Sequence, residues 1–192
     1  MKGVISAVSG YANGNTPNPT YKAVCAGNTG YAEAVKVEFD ADTVSLEQIL
    51  EVFWHIHDPT SLNRQGADVG TQYRSGIYYA DEAQKAVIEA SLAKAQKIFS
   101  QKIVTEIEPL KNWYEAEEYH QNYFANNPYE GYCQAVVAPK VVKFREKFGE
   151  LAKAELDETE YLLSSPANAK RLFESIESFK QGGGAEKKLA DI

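Results

Sequence analysis

Asp58-Pro59-Thr60-Ser61-Leu62-Asn63-Arg64-Gln65-Gly66-Ala67-Asp68-Val69-Gly70-Thr71-Gln72-Tyr73-Arg74-Ser75 shows neither helical nor strand periodicity. A loop of about 18 residues inside a compact domain is usually functional or disordered. This one interleaves Asp, Arg, Gln and Tyr with Gly. It reads either as an ordered polar pocket or as a solvated crossover.

The flanks are regular. Before the loop, Ser45 with Gln48 three residues on forms a capping-box pattern. Leu46, Ile49, Leu50, Phe53 and Trp54 then follow helical spacing. After it, Gly76–Ala80 reads as a strand and residues 81–99 as an amphipathic helix. Val104–Pro109 reads as an exposed or edge strand. Nearer the N-terminus, Val4–Tyr11 and Ala32–Asp40 read as strands. Between them lies a loop whose Pro17 and Pro19 forbid a helix. Residues 112–125 read as helical, and a further helix is expected from about Pro139 to Lys153. The composition changes near Ala154, so the expected domains are 1–153 and a charged, helical tail, 154–192.

The 192 residues suit one domain with a real core. With 20 Lys+Arg against 27 Asp+Glu, the net charge of −7 disfavours nucleic-acid binding. No apolar run approaches the roughly 18 residues of a membrane span, and Met1-Lys2-Gly3-Val4 leads into no signal-peptide core. Two cysteines cannot form a disulfide framework and suit a reducing cytoplasm.

Among candidate chemical groups, Glu33 reads as a surface carboxylate or as a partly buried general acid. His55 and His57 lie two apart on a helix and do not face the same way, so a structural role is expected and no metal site. Cys25 follows Val24 and is expected to be packed. Cys133, in a Gly-Tyr-Cys turn, is expected to be exposed enough to react.

Gly10-Tyr11-Ala12-Asn13-Gly14, Asn18-Pro19-Thr20-Tyr21, Gly30-Tyr31-Ala32-Glu33-Ala34-Val35, Phe53-Trp54, Tyr119-His120-Gln121 and the whole string from His57 to Ser75 resemble the peptide methionine sulfoxide reductase A family. The resemblance covers roughly residues 2–150. It implies a mixed α/β (α+β) sandwich around a small sheet. The implied substrate is the S epimer of methionine sulfoxide, in proteins or free. The implied reductant is thioredoxin, with no cofactor. By resemblance Glu33 is the proton donor, Tyr21 and Tyr73 hydrogen-bond the sulfoxide oxygen, and Asp68 is an organiser. Cys133 matches a resolving cysteine, and Tyr31 stands where many members have His.

The family's nucleophile sits in a Gly-Cys-Phe-Trp-Gly motif that precedes the Gly3-Val4 segment. No Cys-Phe-Trp occurs in these residues. The expectation is an N-terminally shortened reductase, lacking one strand and one helix, that is inactive or nearly so. It would then be a protein that binds methionine sulfoxide without reducing it.

Leu162-Leu163-Ser164-Ser165-Pro166-Ala167-Asn168-Ala169 is similar to the toxin-binding segment of YefM/Phd-type antitoxins. That resemblance implies a RelE/YoeB-type toxin as a partner.

Overall fold

The computed structural model describes residues 1–153. The expected helical tail, 154–192, lies outside the described residues. The elements in chain order are β1 (Val4–Ala12), α1 (Tyr21–Cys25), β2 (Ala32–Phe39), α2 (Leu46–Ile56), β3 (Arg64–Gln65), β4 (Asp68–Val69), β5 (Gly76–Tyr79), α3 (Glu82–Ala95), β6 (Glu106–Pro109), β7 (Trp113–Glu115), α4 (Tyr123–Asn126) and α5 (Ala138–Phe148). The architecture is mixed α/β with small sheets. An antiparallel sheet has the order β2-β1-β7, β3 and β4 form a hairpin, and β5 pairs with β6 in parallel.

The capping box of α2 forms as the sequence predicts. Ser45 Oγ accepts from the Gln48 N–H at 3.3 Å, and Gln48 Oε1 accepts from the Ser45 N–H at 2.9 Å. Leu50 and Trp54 of α2, Tyr79 of β5, Ile88 and Ala95 of α3, and Ile103 form one buried cluster. Trp54 Nε1 donates to Ser91 Oγ at 2.9 Å, which satisfies the buried indole N–H and ties α2 to α3. The second helix is shorter than the expected 81–99. Gln96 ends it by donating to the Phe99 and Gln101 carbonyls and accepting from the Ile103 N–H.

A second cluster, Tyr11, Val24, Tyr31 and Ala116, sits against the antiparallel sheet. Here the first part of the expected helix over 112–125 gives way to a strand, because Trp113–Glu115 adds to the open edge of β1, and only Glu118–His120 and Tyr123–Asn126 are helical. Gly10 makes that close approach possible. A Cβ there would lie 2.3 Å from the Trp113 ring and 2.4 Å from the Tyr114 carbonyl oxygen.

The C-terminal helical run begins earlier than Pro139. A π-turn, Cys133–Val137, leads directly into α5. Proline has no N–H to donate and crowds the carbonyl four residues back, and the wider turn ahead of Pro139 relieves both demands. Among the described residues no helix is long and apolar enough to cross a membrane.

Candidate active site

Glu33 stands on β2 directly opposite Tyr11 of β1, and Tyr11 is in turn opposite Tyr114 of β7. Residues opposite one another share a sheet face, so one rung carries Tyr114, Tyr11 and Glu33. A pocket on that face is lined by Tyr11, Tyr21, Glu33, Ala34, Ala116 and His120, among others.

The Glu33 side chain reaches solvent, yet burial by its surroundings, and then the charge of Asp68, push its carboxyl above the usual range. Both causes disfavour the ionised form. Tyr73 is pushed up too, chiefly by burial and then by Glu33, with Cys25 and Asp68 adding to the effect. The Tyr21 phenol is raised first by its hydrogen bond with Cys25 and then by burial, with smaller effects from Cys25, Tyr73 and Glu33. Glu33 and Tyr73 thus each fall within electrostatic reach of Asp68, and Tyr21 within reach of Glu33 and Tyr73. Tyr21 and Glu33 line the pocket itself, while Asp68 and Tyr73 flank Glu33 from the loop.

The Asp58–Ser75 loop is ordered by its own side chains. Asp58 accepts from the Thr60 N–H (2.9 Å), the Thr60 hydroxyl (2.6 Å) and the Ser61 hydroxyl (2.5 Å), and these bonds hold its carboxyl below the usual range. Gly66, at φ +61°, makes the tight turn between β3 and β4 that presents Asp68. Arg74 Nε donates to Glu106 Oε1 (2.7 Å), while its guanidinium NH2 groups donate to the Thr71 and Gly30 carbonyls (2.9 and 3.2 Å). The loop is thus clamped to β6 and to the turn that precedes Glu33.

Both cysteines differ from expectation. Cys25 is exposed, not packed. In the one-turn helix α1, Val24 takes the inward position and is fully buried, so the next residue points roughly 100° away, towards solvent. Cys133 is fully buried rather than accessible, because Gly-Tyr-Cys is helical and not a turn. Burial pushes the Cys133 thiol up, with Glu130 adding to the effect.

His57 is structural in its contacts. Its ring nitrogens meet the Phe53 carbonyl and Ser75 Oγ, and Ser75 in turn meets Thr105 Oγ1 at 2.8 Å. Among the described residues no group of three His, Cys, Asp or Glu could hold a metal ion.

Three site neighbours escaped the sequence reading. Tyr132 is exposed, and its phenol is pushed up first by the burial its surroundings provide and then by the charges of Asp68 and Glu33. His120 packs its ring 4.4 Å from that of Tyr21, and its Nε2 is a buried atom without a hydrogen-bond partner among the described groups. Glu117 accepts from the Tyr21 N–H and the Tyr11 hydroxyl. His120 was legible as part of Tyr119-His120-Gln121, whereas nothing in the local sequence marked Glu117.

The site is thus a raised carboxyl among tyrosines on a small antiparallel sheet. A family model described as peptide methionine sulfoxide reductase matches residues 1–152. The peptide methionine sulfoxide reductase MsrA of Pasteurella multocida (strain Pm70) is 54% identical over 153 residues, covering 80% of this chain and 88% of that protein. The MsrA of Saccharolobus solfataricus is 48% identical over 153 residues, covering 80% and 86%. The solved structure of Mxr1 from Saccharomyces cerevisiae in reduced form is similar with a TM-score of 0.65 at 39% identity, covering 68% of this chain and 76% of that one. The chain belongs to the peptide methionine sulfoxide reductase family.

Proposed function

We propose that residues 1–153 carry the site that reduces methionine S-sulfoxide, with Glu33 as the proton donor. The observation that carries this reading is the raised carboxyl of Glu33 beside Tyr21, Tyr73 and Asp68. A carboxyl that keeps its proton can give it to the sulfoxide oxygen as a thiolate attacks the sulfur. Tyr21 and Tyr73 hold that oxygen, while burial first and the Asp68 charge second favour the protonated form of Glu33. The oxygen passes to the attacking cysteine, methionine leaves, and a sulfenic acid remains. A second thiol, assigned to Cys133, then forms a disulfide with loss of water, and thioredoxin reduces it. Because Cys133 is buried, this step requires the Cys133–Val137 turn to open. The family match and the two free cysteines support this assignment to a thiol-based reductase of the cytoplasm.

The attacking thiolate is the exception. These 192 residues hold only Cys25 and Cys133 and no Gly-Cys-Phe-Trp-Gly motif. The polypeptide on its own is therefore proposed to turn over slowly. The test is dithiothreitol-driven reduction of S-epimer methionine sulfoxide, with and without a Gly-Cys-Phe-Trp-Gly segment joined in front. The expected result is a slow reaction that the added segment speeds by orders of magnitude. In the faster form, Glu33→Gln should cost roughly 100-fold or more. Equal rates with and without the segment would assign the chemistry to Cys25 or Cys133. The exposure of Cys25 beside Tyr21 makes Cys25→Ser the variant to run alongside.

A second reading concerns 154–192 as a separate module that binds a RelE/YoeB-type toxin. Leu162-Leu163-Ser164-Ser165-Pro166-Ala167-Asn168-Ala169 favours it, as does the end of the family match at residue 152. Pull-down of a purified toxin of that type by the full chain, and not by residues 1–153, is the expected result. Equal recovery by both would remove the reading.

A further inference from the structure

We propose that Glu117 is the positioning residue of this site, a carboxylate that sets Tyr21 through its backbone and holds the Tyr11–Glu33 rung through the Tyr11 hydroxyl. The proposal rests on the reading of Tyr21 and Glu33 given above.

The two oxygens of Glu117 divide the work. Oε1 accepts from the Tyr21 N–H at 2.8 Å, and Oε2 accepts from the Tyr11 hydroxyl at 2.7 Å. Tyr21 opens α1, so its N–H has no partner within the helix. Tyr11 is only 2% exposed, so its hydroxyl also needs an acceptor. An ionised carboxylate is acceptor-only and can serve both donors at once. Burial works against the charge, but the bonds from Tyr21 and Tyr11 outweigh it and bring the Glu117 carboxyl below the usual range.

Glu117 is itself held in place. The Ala116 N–H donates to the Ser9 carbonyl at 2.9 Å. Gln121 Nε2 donates to the Ser9 and Ala116 carbonyls, both at 2.9 Å, and Gln121 Oε1 accepts from the Ser9 N–H at 3.0 Å. The 116–121 segment is thus fastened to β1, and the carboxylate carries that rigidity to Tyr21. His120, from the same segment, packs its ring against the Tyr21 ring. Tyr21 also packs against the Tyr11, Val24, Tyr31 and Ala116 cluster, while its hydroxyl lies by the exposed Cys25.

The test uses the 192-residue chain and reports on Tyr21 directly. Cys25 is exposed and touches the Tyr21 hydroxyl, while Cys133 is buried and serves as the internal control. Iodoacetamide labelling of Cys25, followed by mass spectrometry, should change rate severalfold in Glu117→Ala, in the same direction as in Tyr21→Phe. Glu117→Gln keeps an acceptor for the Tyr21 N–H and should stay near the starting rate. Binding of N-acetyl-methionine S-sulfoxide methylamide, followed by NMR, should weaken roughly tenfold in Glu117→Ala, since both charge-assisted bonds that position Tyr21 and Tyr11 are lost.

Cys25 labelling unchanged in a folded Glu117→Ala variant overturns the proposal. A starting chain that does not bind the sulfoxide probe overturns the functional reading instead, and the labelling result still decides the role of Glu117. Should Glu117→Ala not fold, the unmodified chain gives the answer. Its Tyr21 amide proton should shift as Glu117 takes up a proton on acidification. A Tyr21 amide that does not respond overturns the proposal.

Discussion

The raised carboxyl of Glu33 is set by what stands next to it and not by its own chemistry. Burial comes first and the Asp68 charge second in raising its carboxyl. Asp68→Asn removes only the second cause. Its expected effect is a Glu33 titration midpoint lower than in the parent chain but still above an ordinary glutamate, as read from the side-chain carboxyl carbon by NMR. An unmoved midpoint would separate Asp68 from Glu33. The cysteines teach the opposite lesson about reading single residues. Val24 and Cys25 are neighbours in sequence, yet one is fully buried and the other exposed. An apolar neighbour does not report on burial in a helix, where each step turns the side chain by about 100°.

At the scale of elements, those with local causes were legible. The capping box of α2 needs only Ser45 and Gln48, and both bonds form. The strands β1 and β2 were both legible as strands, and the structure pairs them antiparallel. What escaped were elements whose partner is remote: Trp113–Glu115 is a strand because β1 offers an edge about 100 residues earlier in the chain. The Asp58–Ser75 loop is intermediate, since its residue types signalled order while its clamp is long-range. Arg74, mostly buried, pairs with Glu106, which also accepts from the Tyr78 hydroxyl at 2.5 Å. Arg74→Ala should cost about 2–3 kcal/mol of stability in denaturant unfolding. It should also raise amide exchange across residues 70–73 relative to α3. Equal exchange in variant and parent would mean that the loop is held by its internal turns alone.

For the whole molecule, His57 couples the packing of three segments to pH. It joins the end of α2 to Ser75 and, through Ser75, to Thr105. Burial lowers its pKa, and Lys140 acts in the same direction, while the Phe53 carbonyl and Asp58 oppose them. The unfolded chain binds a proton at about pH 6.5 and the folded chain resists until lower pH. Stability from neutral His57 is thus complete above about pH 6.5 and is lost as pH falls below it. Melting temperatures measured from pH 8 to 5 should decline over that window, and His57→Gln should flatten the decline. A decline of the same size in both would place the acid sensitivity elsewhere. The amino-acid sequence alone determined the helices and strands with local signals, and its motifs carried the family resemblance from which Glu33, Tyr21, Tyr73 and Asp68 are proposed as the site. The local elements are written in spacing and residue type, which short-range sterics and hydrogen bonding read directly. Only the tertiary structure decided that Cys25 faces solvent and Cys133 does not, that Trp113–Glu115 completes a sheet, and that Glu117 grips Tyr11 and Tyr21. Each of those depends on a partner brought close by folding, and a residue's burial, charge state and hydrogen bonds are set by such neighbours.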